Sequence, residues 1–392
     1  MTTSTSPAWT RDTMWWHIYP LGFAGAPVRP SSDSERTTTP RLRHIASWLD
    51  YLIELGCNGL ALGPIFTSTT HGYDTVDFFS IDPRLGTIED FDYLVAECKR
   101  RGIRIMLDGV FNHVGAGAYP ELVRHNHVFE GHDSLQTLDQ EKAAVAELVD
   151  KCMRFWLARG VDGWRLDAAY AVDPQFWDRV IPNVKQEYPE AWFMGEVIHG
   201  DYVEHARHMD SVTQYELWKA TWSALKDNNF FELDWCLQRN NQLLDSFLPY
   251  TFIGNHDVTR IATQVGPERA ALALTLLMTL PGIPAIYYGD EQGWLGSKEE
   301  RLGGDDAIRP MFPLSPAECG PNATFELHQR LIAFRRRHPW LVDARPETLA
   351  LTNEHLRYRL TSGEQWVEVE LWLGATPGAR IFTNSEGEIA VP

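Results

Sequence analysis

Short apolar runs that read as strands alternate with amphipathic stretches that read as helices along most of this chain, and nothing else in it narrows the fold as far. "MWWHIYP" (14–20) precedes a helical stretch in which Leu42, Ile45, Leu49 and Leu52 recur every three or four residues up to Gly56. After the run "CNGLALGP" (57–64), a helix is expected to begin at Thr87, where Asp90 completes a capping box. Ile88, Phe91, Val95 and Cys98 form its apolar face. "GIRIMLDGVF" (102–111) is the next strand, followed by a helix carrying Val145, Leu148, Val149, Cys152 and Phe155. The rhythm continues through "VDGWRLDA" (161–168), "WFMGEV" (192–197), "YTFIGNHD" (250–257), a helix over 267–280, "IPAIYYGDEQG" (283–293) and a last helix over 325–337. An eighth strand is expected near "VTQYELW" (212–218), where the alternation is weakest.

Repeated βα units over this length predict an α/β fold, a (β/α)8 TIM barrel, for which ~250 residues is typical. A doubly wound open sheet is the competing topology, but the glycine-rich phosphate turn expected after its first strand is missing. Two regions break the rhythm. Residues 114–139 form a long polar insertion after the third strand. In the tail, Val367, Val369, Leu371 and Leu373 alternate with Glu368 and Glu370, a period of two that predicts a small antiparallel sheet. The expected organisation is a catalytic barrel over 1–340, insertion included, and a small β domain over 341–392.

A formal net charge of −18 argues against nucleic acid or an anionic membrane as partner, since both select basic patches. The five cysteines are scattered, with no CxxC pair, which suits small core residues in a reducing compartment rather than a disulfide framework or zinc site. The opening stretch has no apolar signal-like core, and no run of 18 apolar residues occurs. These features predict a soluble, cytoplasmic protein.

The strands end in polar residues. Asp108, Asn112 and His113 follow the third, Arg165 and Asp167 the fourth, Glu196 the fifth, His256 and Asp257 the seventh. In a barrel these ends gather around one mouth, where active sites lie. Arg165 and Asp167 share a strand face, with Trp164 and Leu166 on the other. A guanidinium beside a carboxylate depresses its pKa, typically by ~1–3 units. Glu196 has no basic neighbour in its own segment and sits on an apolar strand, which predicts a raised pKa. Two carboxyl groups pushed in opposite directions suit acid and nucleophile roles.

"DGVFNH" (108–113), "GWRLDAAY" (163–170), "GEVIHG" (195–200) and "FIGNHD" (252–257) resemble the four signature regions of the α-amylase family of glycoside hydrolases, in the family's order. "HGYDTVDFFSIDPRLGT" (71–87) and "GIPAIYYGDEQG" (282–293) also resemble family segments, so the likeness covers about residues 14–340. The resemblance implies that Asp167 is the nucleophile, Glu196 the general acid/base and Asp257 the third carboxylate, which grips sugar hydroxyls. It implies substrate-binding roles for Tyr73 (a stacking platform), His113, His256 and Arg165, with Asp108 supporting Arg165. "GGDDAIRPMFP" (303–313) resembles a loop that contacts the non-reducing end, which makes Asp306 and Arg309 candidates.

The chain departs from the pattern where Ala168, Ala169 and Tyr170 replace a Lys-His pair that serves the acceptor side and a calcium site in many polymer-cutting members. Asn112 is a candidate calcium ligand by the resemblance, but a hard cation needs about six or more oxygens, so calcium is not favoured and no cofactor is expected. The expected activity is retaining hydrolysis of α-glucosidic bonds, α-1,4 favoured, in short α-glucans or oligosaccharides. A transglycosylase of the same family is the alternative. A non-catalytic binding module is a third reading, but it would be expected to lose carboxylates, and Asp167, Glu196 and Asp257 are all present.

Overall fold

The computed structural model describes residues 6–385 and 387–391. The eight parallel strands of the main sheet are β1 (Trp15–Ile18), β2 (Gly59–Leu62), β3 (Arg104–Gly109), β4 (Gly163–Leu166), β5 (Trp192–Gly195), β6 (Ser211–Val212), β7 (Tyr250–Phe252) and β8 (Ile283–Tyr287). Each pairs with its sequence neighbour from β1 to β6 and from β7 to β8, and β1 pairs with β8. An isolated bridge between Thr213 and Tyr250 closes the remaining gap. The result is the expected (β/α)8 barrel.

Alternation along the strands explains why both faces are apolar. Trp15 points into the barrel, where it stacks on Trp192 (5.8 Å between centroids, 6° between planes) above Met106, Met194 and Ile283. Trp16 and Trp164 point outward into the layer filled by helix side chains. The stretch read as one helix over 41–56 is two, α1 (Arg41–Ala46) and α2 (Leu49–Leu55). Between them the Ser47 hydroxyl donates back to the His44 carbonyl (2.6 Å), and Trp48 turns in against Phe23, Tyr51 and Phe312. Helix α3 (Ile88–Arg101) starts at the expected Thr87–Asp90 capping box.

"VTQYELW" is mostly not strand. Only Ser211–Val212 pairs as β6, and helix α4 (Tyr215–Asp227) begins three residues later, its N-terminus capped by the Gln214 side chain. Helix α5 (Phe230–Leu243), which the sequence pattern does not predict, follows at once. Residues 113–138 fold as a small antiparallel sheet of His113–Gly115, Leu135–Leu138 and Val123–Val128 beside the mouth. The tail is a five-stranded antiparallel meander, β9 (Glu347–Leu351), β10 (His355–Ser362), β11 (Gln365–Trp372), β12 (Gly378–Thr383) and β13 (Gly387–Val391). It docks on α6 (Pro267–Thr279), where the hydroxyls of Tyr358 and Thr279 meet at 2.6 Å. Glu368, on the polar face of β11, is nonetheless buried because Arg357 and Arg359 of the neighbouring strand close over it. Among the described residues no helix is long and apolar enough to cross a membrane.

Candidate active site

Arg165 is the hub of the mouth. Its Nη1 donates to both oxygens of Asp108 (2.7 Å each) and to Asp167 Oδ1 (3.1 Å), while Nη2 lies 2.5 Å from Glu196 Oε1. All four side chains are under a tenth exposed. Gly195, just before Glu196, is required by a close approach, since a Cβ there would lie 2.3 Å from Met209 Sδ. The chain after Asp167 turns through the left-handed region at Ala168 (φ 46°), which aims that residue's N–H at Glu196 Oε2 (3.1 Å). A non-glycine residue in this region is strained, as is common where a site dictates the backbone.

A second cluster stands on β1, β7 and the following loops. Asp257 accepts from Arg309 Nη2 (2.9 Å) and lies 3.0 Å from His256 Nε2. Arg309 also donates through Nε to the His256 carbonyl (2.7 Å), pairs with Asp305 (3.2 Å) and sits over the Tyr19 ring. Tyr73 stacks on His256 (5.3 Å, 6°), hydrogen-bonds its Nε2 and donates to Asp108 (3.0 Å), joining the two clusters. His113 is buried and stacked on Phe129 of the insertion (4.6 Å), with Nδ1 near Asn112 and, among the described residues, no hydrogen-bond partner for Nε2.

Burial and crowding set the protonation pattern. Burial pushes the Asp167 carboxyl well above the usual carboxylate range, against the pull of Arg165, and Asp108 is raised for the same reason. Burial would also raise Asp257, but His256 and Arg309 together hold it well below that range. Burial lowers His113 to about 4 and His17 far below its ordinary value, so both imidazoles are neutral near pH 7. One expectation is thereby corrected: Arg165 does not bring the Asp167 carboxyl below the usual range, because burial outweighs its pull. Glu196, with no basic residue in its own segment, meets Arg165 from the neighbouring strand. One guanidinium shared by three buried carboxyl groups does not offset the desolvation of Asp108 and Asp167.

The family model described as the α-amylase catalytic domain matches residues 18–127 and 119–313. This chain belongs to the α-amylase family of glycoside hydrolases. A cyclomaltodextrinase from Geobacillus thermopakistaniensis (strain MAS1) is 31% identical, aligned with 93% of this chain and 69% of its own length. Neopullulanase 2 from Thermoactinomyces vulgaris is also 31% identical, over 85% of this chain and 64% of its own length. This chain thus spans about two thirds of the length of these curated relatives. Among solved structures, a cyclic α-maltosyl-(1→6)-maltose hydrolase from Arthrobacter globiformis superposes with a TM-score of 0.82 at 26% identity, covering 98% of this chain and 99% of that one.

Of the residues matched to α-amylase family motifs, eight converge: Tyr73, His113, Arg165, Asp167, Glu196, His256, Asp257 and Arg309. Asp306 does not join them; its carboxylate is exposed and paired with Arg29 (2.8 Å), and Asp305 takes the place beside Arg309. Sequence reasoning missed Asp305, Tyr19, Asn255 and Tyr215. Asn255 stands inside the quoted "FIGNHD", but Tyr215 was hidden in a segment misread as strand. Among the described residues no three His, Cys, Asp or Glu side chains are grouped to hold a metal, and the Asn112 amide faces His113. A hard cation needs six to eight oxygens, commonly carboxylates.

Proposed function

We propose that the protein is a retaining glycoside hydrolase that cleaves α-glucosidic bonds, α-1,4 favoured, in short α-glucans or oligosaccharides, with no metal or other cofactor. The observation that carries this reading is the sharing of Arg165 by Asp167 and Glu196. Oxygens bound to the two terminal nitrogens of one guanidinium favour the ~5–5.5 Å carboxyl separation of retaining glycosidases over the ~6.5–9.5 Å of inverting ones. Asp167 attacks the anomeric carbon as Glu196 protonates the leaving oxygen. Glu196 then deprotonates a water that releases the sugar with its configuration retained. Asp257, held ionised by its cationic neighbours, grips the sugar's hydroxyls and favours the oxocarbenium-like transition state. His113, neutral near pH 7, and His256 contact hydroxyls, Tyr73 lies under the ring, and Arg309 holds Asp257 in place.

The relatives' printed names concern cyclomaltodextrins, pullulan and maltosyl-maltose, which supports a short or cyclic α-glucan as the substrate here. No nucleic-acid or membrane partner is part of this reading, in keeping with the net charge of −18. A cytoplasmic location is supported by the five cysteines, all free and four of them buried.

Azide rescue tests the assignment. With α-maltosyl fluoride as substrate, Glu196→Ala plus azide is expected to give the α-glycosyl azide, because azide enters opposite the covalent bond to Asp167. Asp167→Gly plus azide is expected to give the β-azide by direct displacement. The opposite stereochemistry in either variant overturns the roles.

A further inference from the structure

Glu196 has a partner that bond cleavage does not itself demand. Tyr215, the first residue of α4, is 6% exposed, and its hydroxyl lies 3.1 Å from Glu196 Oε1. Asn255 Nδ2 donates to that hydroxyl at 2.9 Å. The orientation of the amide is fixed independently, because Asn255 Oδ1 accepts from the Asp257 backbone N–H (2.9 Å). An amide nitrogen only donates, so the tyrosine oxygen receives from Asn255 and its own hydrogen is directed to Glu196. Burial keeps the phenol protonated, and edge contacts with Phe252 (4.9 Å) and Trp218 (5.7 Å) fix the ring.

We propose that Tyr215 is a positioning residue for Glu196, a role that rests on the reading of Glu196 as the general acid/base. Arg165 and Tyr215 both occupy Oε1, whereas among the described residues Oε2 receives only the Ala168 N–H. The transferable proton therefore sits on Oε2, and the two donors at Oε1 stabilise the charge left when it departs. Asn255 ties this arrangement to the backbone of Asp257, so the acid and the third carboxylate are held by one amide.

The role is separable from simple packing by the leaving group. Tyr215→Phe keeps the ring and removes only the hydroxyl. On one preparation, kcat/KM is measured for maltotetraose, whose sugar leaving group needs a proton, and for α-maltosyl fluoride, whose fluoride needs little help. The variant is expected to lose about 10- to 100-fold on maltotetraose, the effect of a hydrogen bond to a charged group, and less than about threefold on the fluoride. Because the ratio comes from the same sample, an incompletely folded fraction cancels. Equal losses on both substrates, or no loss on either, overturn the role of Tyr215 alone. Wild-type protein inert on both overturns the hydrolase reading and this role with it.

Discussion

Arg165 divides one guanidinium among Asp108, Asp167 and Glu196, a task that depends on its planar fork. Arg165→Lys supplies a point charge in place of the fork, so kcat/KM on maltotetraose is expected to fall by at least ~100-fold. Melting temperature should fall as well, since the buried carboxyl groups lose donors. Asp167→Asn removes the nucleophile but little volume; turnover should fall by at least ~1,000-fold while circular dichroism is unchanged. A folded Asn variant with near wild-type turnover would contradict the mechanism. At this scale the three carboxylates, Arg165, His113 and His256 were legible because each lies at or within a few positions of a strand end, whereas Tyr73 and Arg309 were read from the likeness of their segments to the family's. Tyr215 was not legible, since its significance comes from a hydrogen bond to a residue 19 positions away. Of the shared guanidinium, the links to Asp108 and Asp167 were legible, but the link to Glu196 was not, because it crosses between strands about 30 residues apart in sequence.

Among the elements, the end of β8 carries a titratable load of its own. Glu291 is fully buried, accepts from Tyr51 (3.0 Å) and the Gly289 N–H (2.9 Å), and is pushed by burial from 4.5 up to about 7. Its folded-state pKa lies above the unfolded value, so the folded chain binds the extra proton. The stabilisation is full below about 4.5 and is lost as pH rises through about 7. A shift of this size corresponds to on the order of 3 kcal/mol. Denaturant unfolding of wild type and Glu291→Gln between pH 5 and 8 should therefore diverge, with the wild type losing more stability as pH rises. Parallel curves would show that Glu291 is ionised throughout. The insertion after β3 yields a second expectation: a chelator should move the melting temperature by less than about 2 °C, because among the described residues no three His, Cys, Asp or Glu side chains are grouped to hold a metal. Strongly patterned elements such as α3, with its capping box, were legible in the sequence. β6 was not, because Val212, Thr213 and Tyr215 have strand propensity while the Gln214 cap starts a helix.

For the whole molecule, the barrel sets where chemistry occurs and the surrounding loops set how much substrate can enter. The insertion reaches across the mouth: Tyr170, three residues after Asp167, donates to Glu130 (2.7 Å), and the neighbouring Phe129 covers His113. These contacts place the insertion beside both the nucleophile segment and His113, which is expected to limit the space for long chains. Catalytic efficiency should be at least ~10-fold higher on short maltooligosaccharides than on soluble starch, measured as reducing ends released. Rapid loss of iodine colour with little early reducing sugar would instead indicate internal cutting of long chains. The closure of the barrel carries a different consequence. β6 contributes two paired residues on one side and a single bridge on the other, whereas β1 is paired along its length to both neighbours. A ring with one thin rivet loosens there first. The amides of Thr213 and Gln214, bonded to Gly195 and Tyr250, should exchange with deuterium sooner than those of β1. Tyr215 hangs directly from that rivet, so on warming the enzyme should fall silent several degrees before its ellipticity changes.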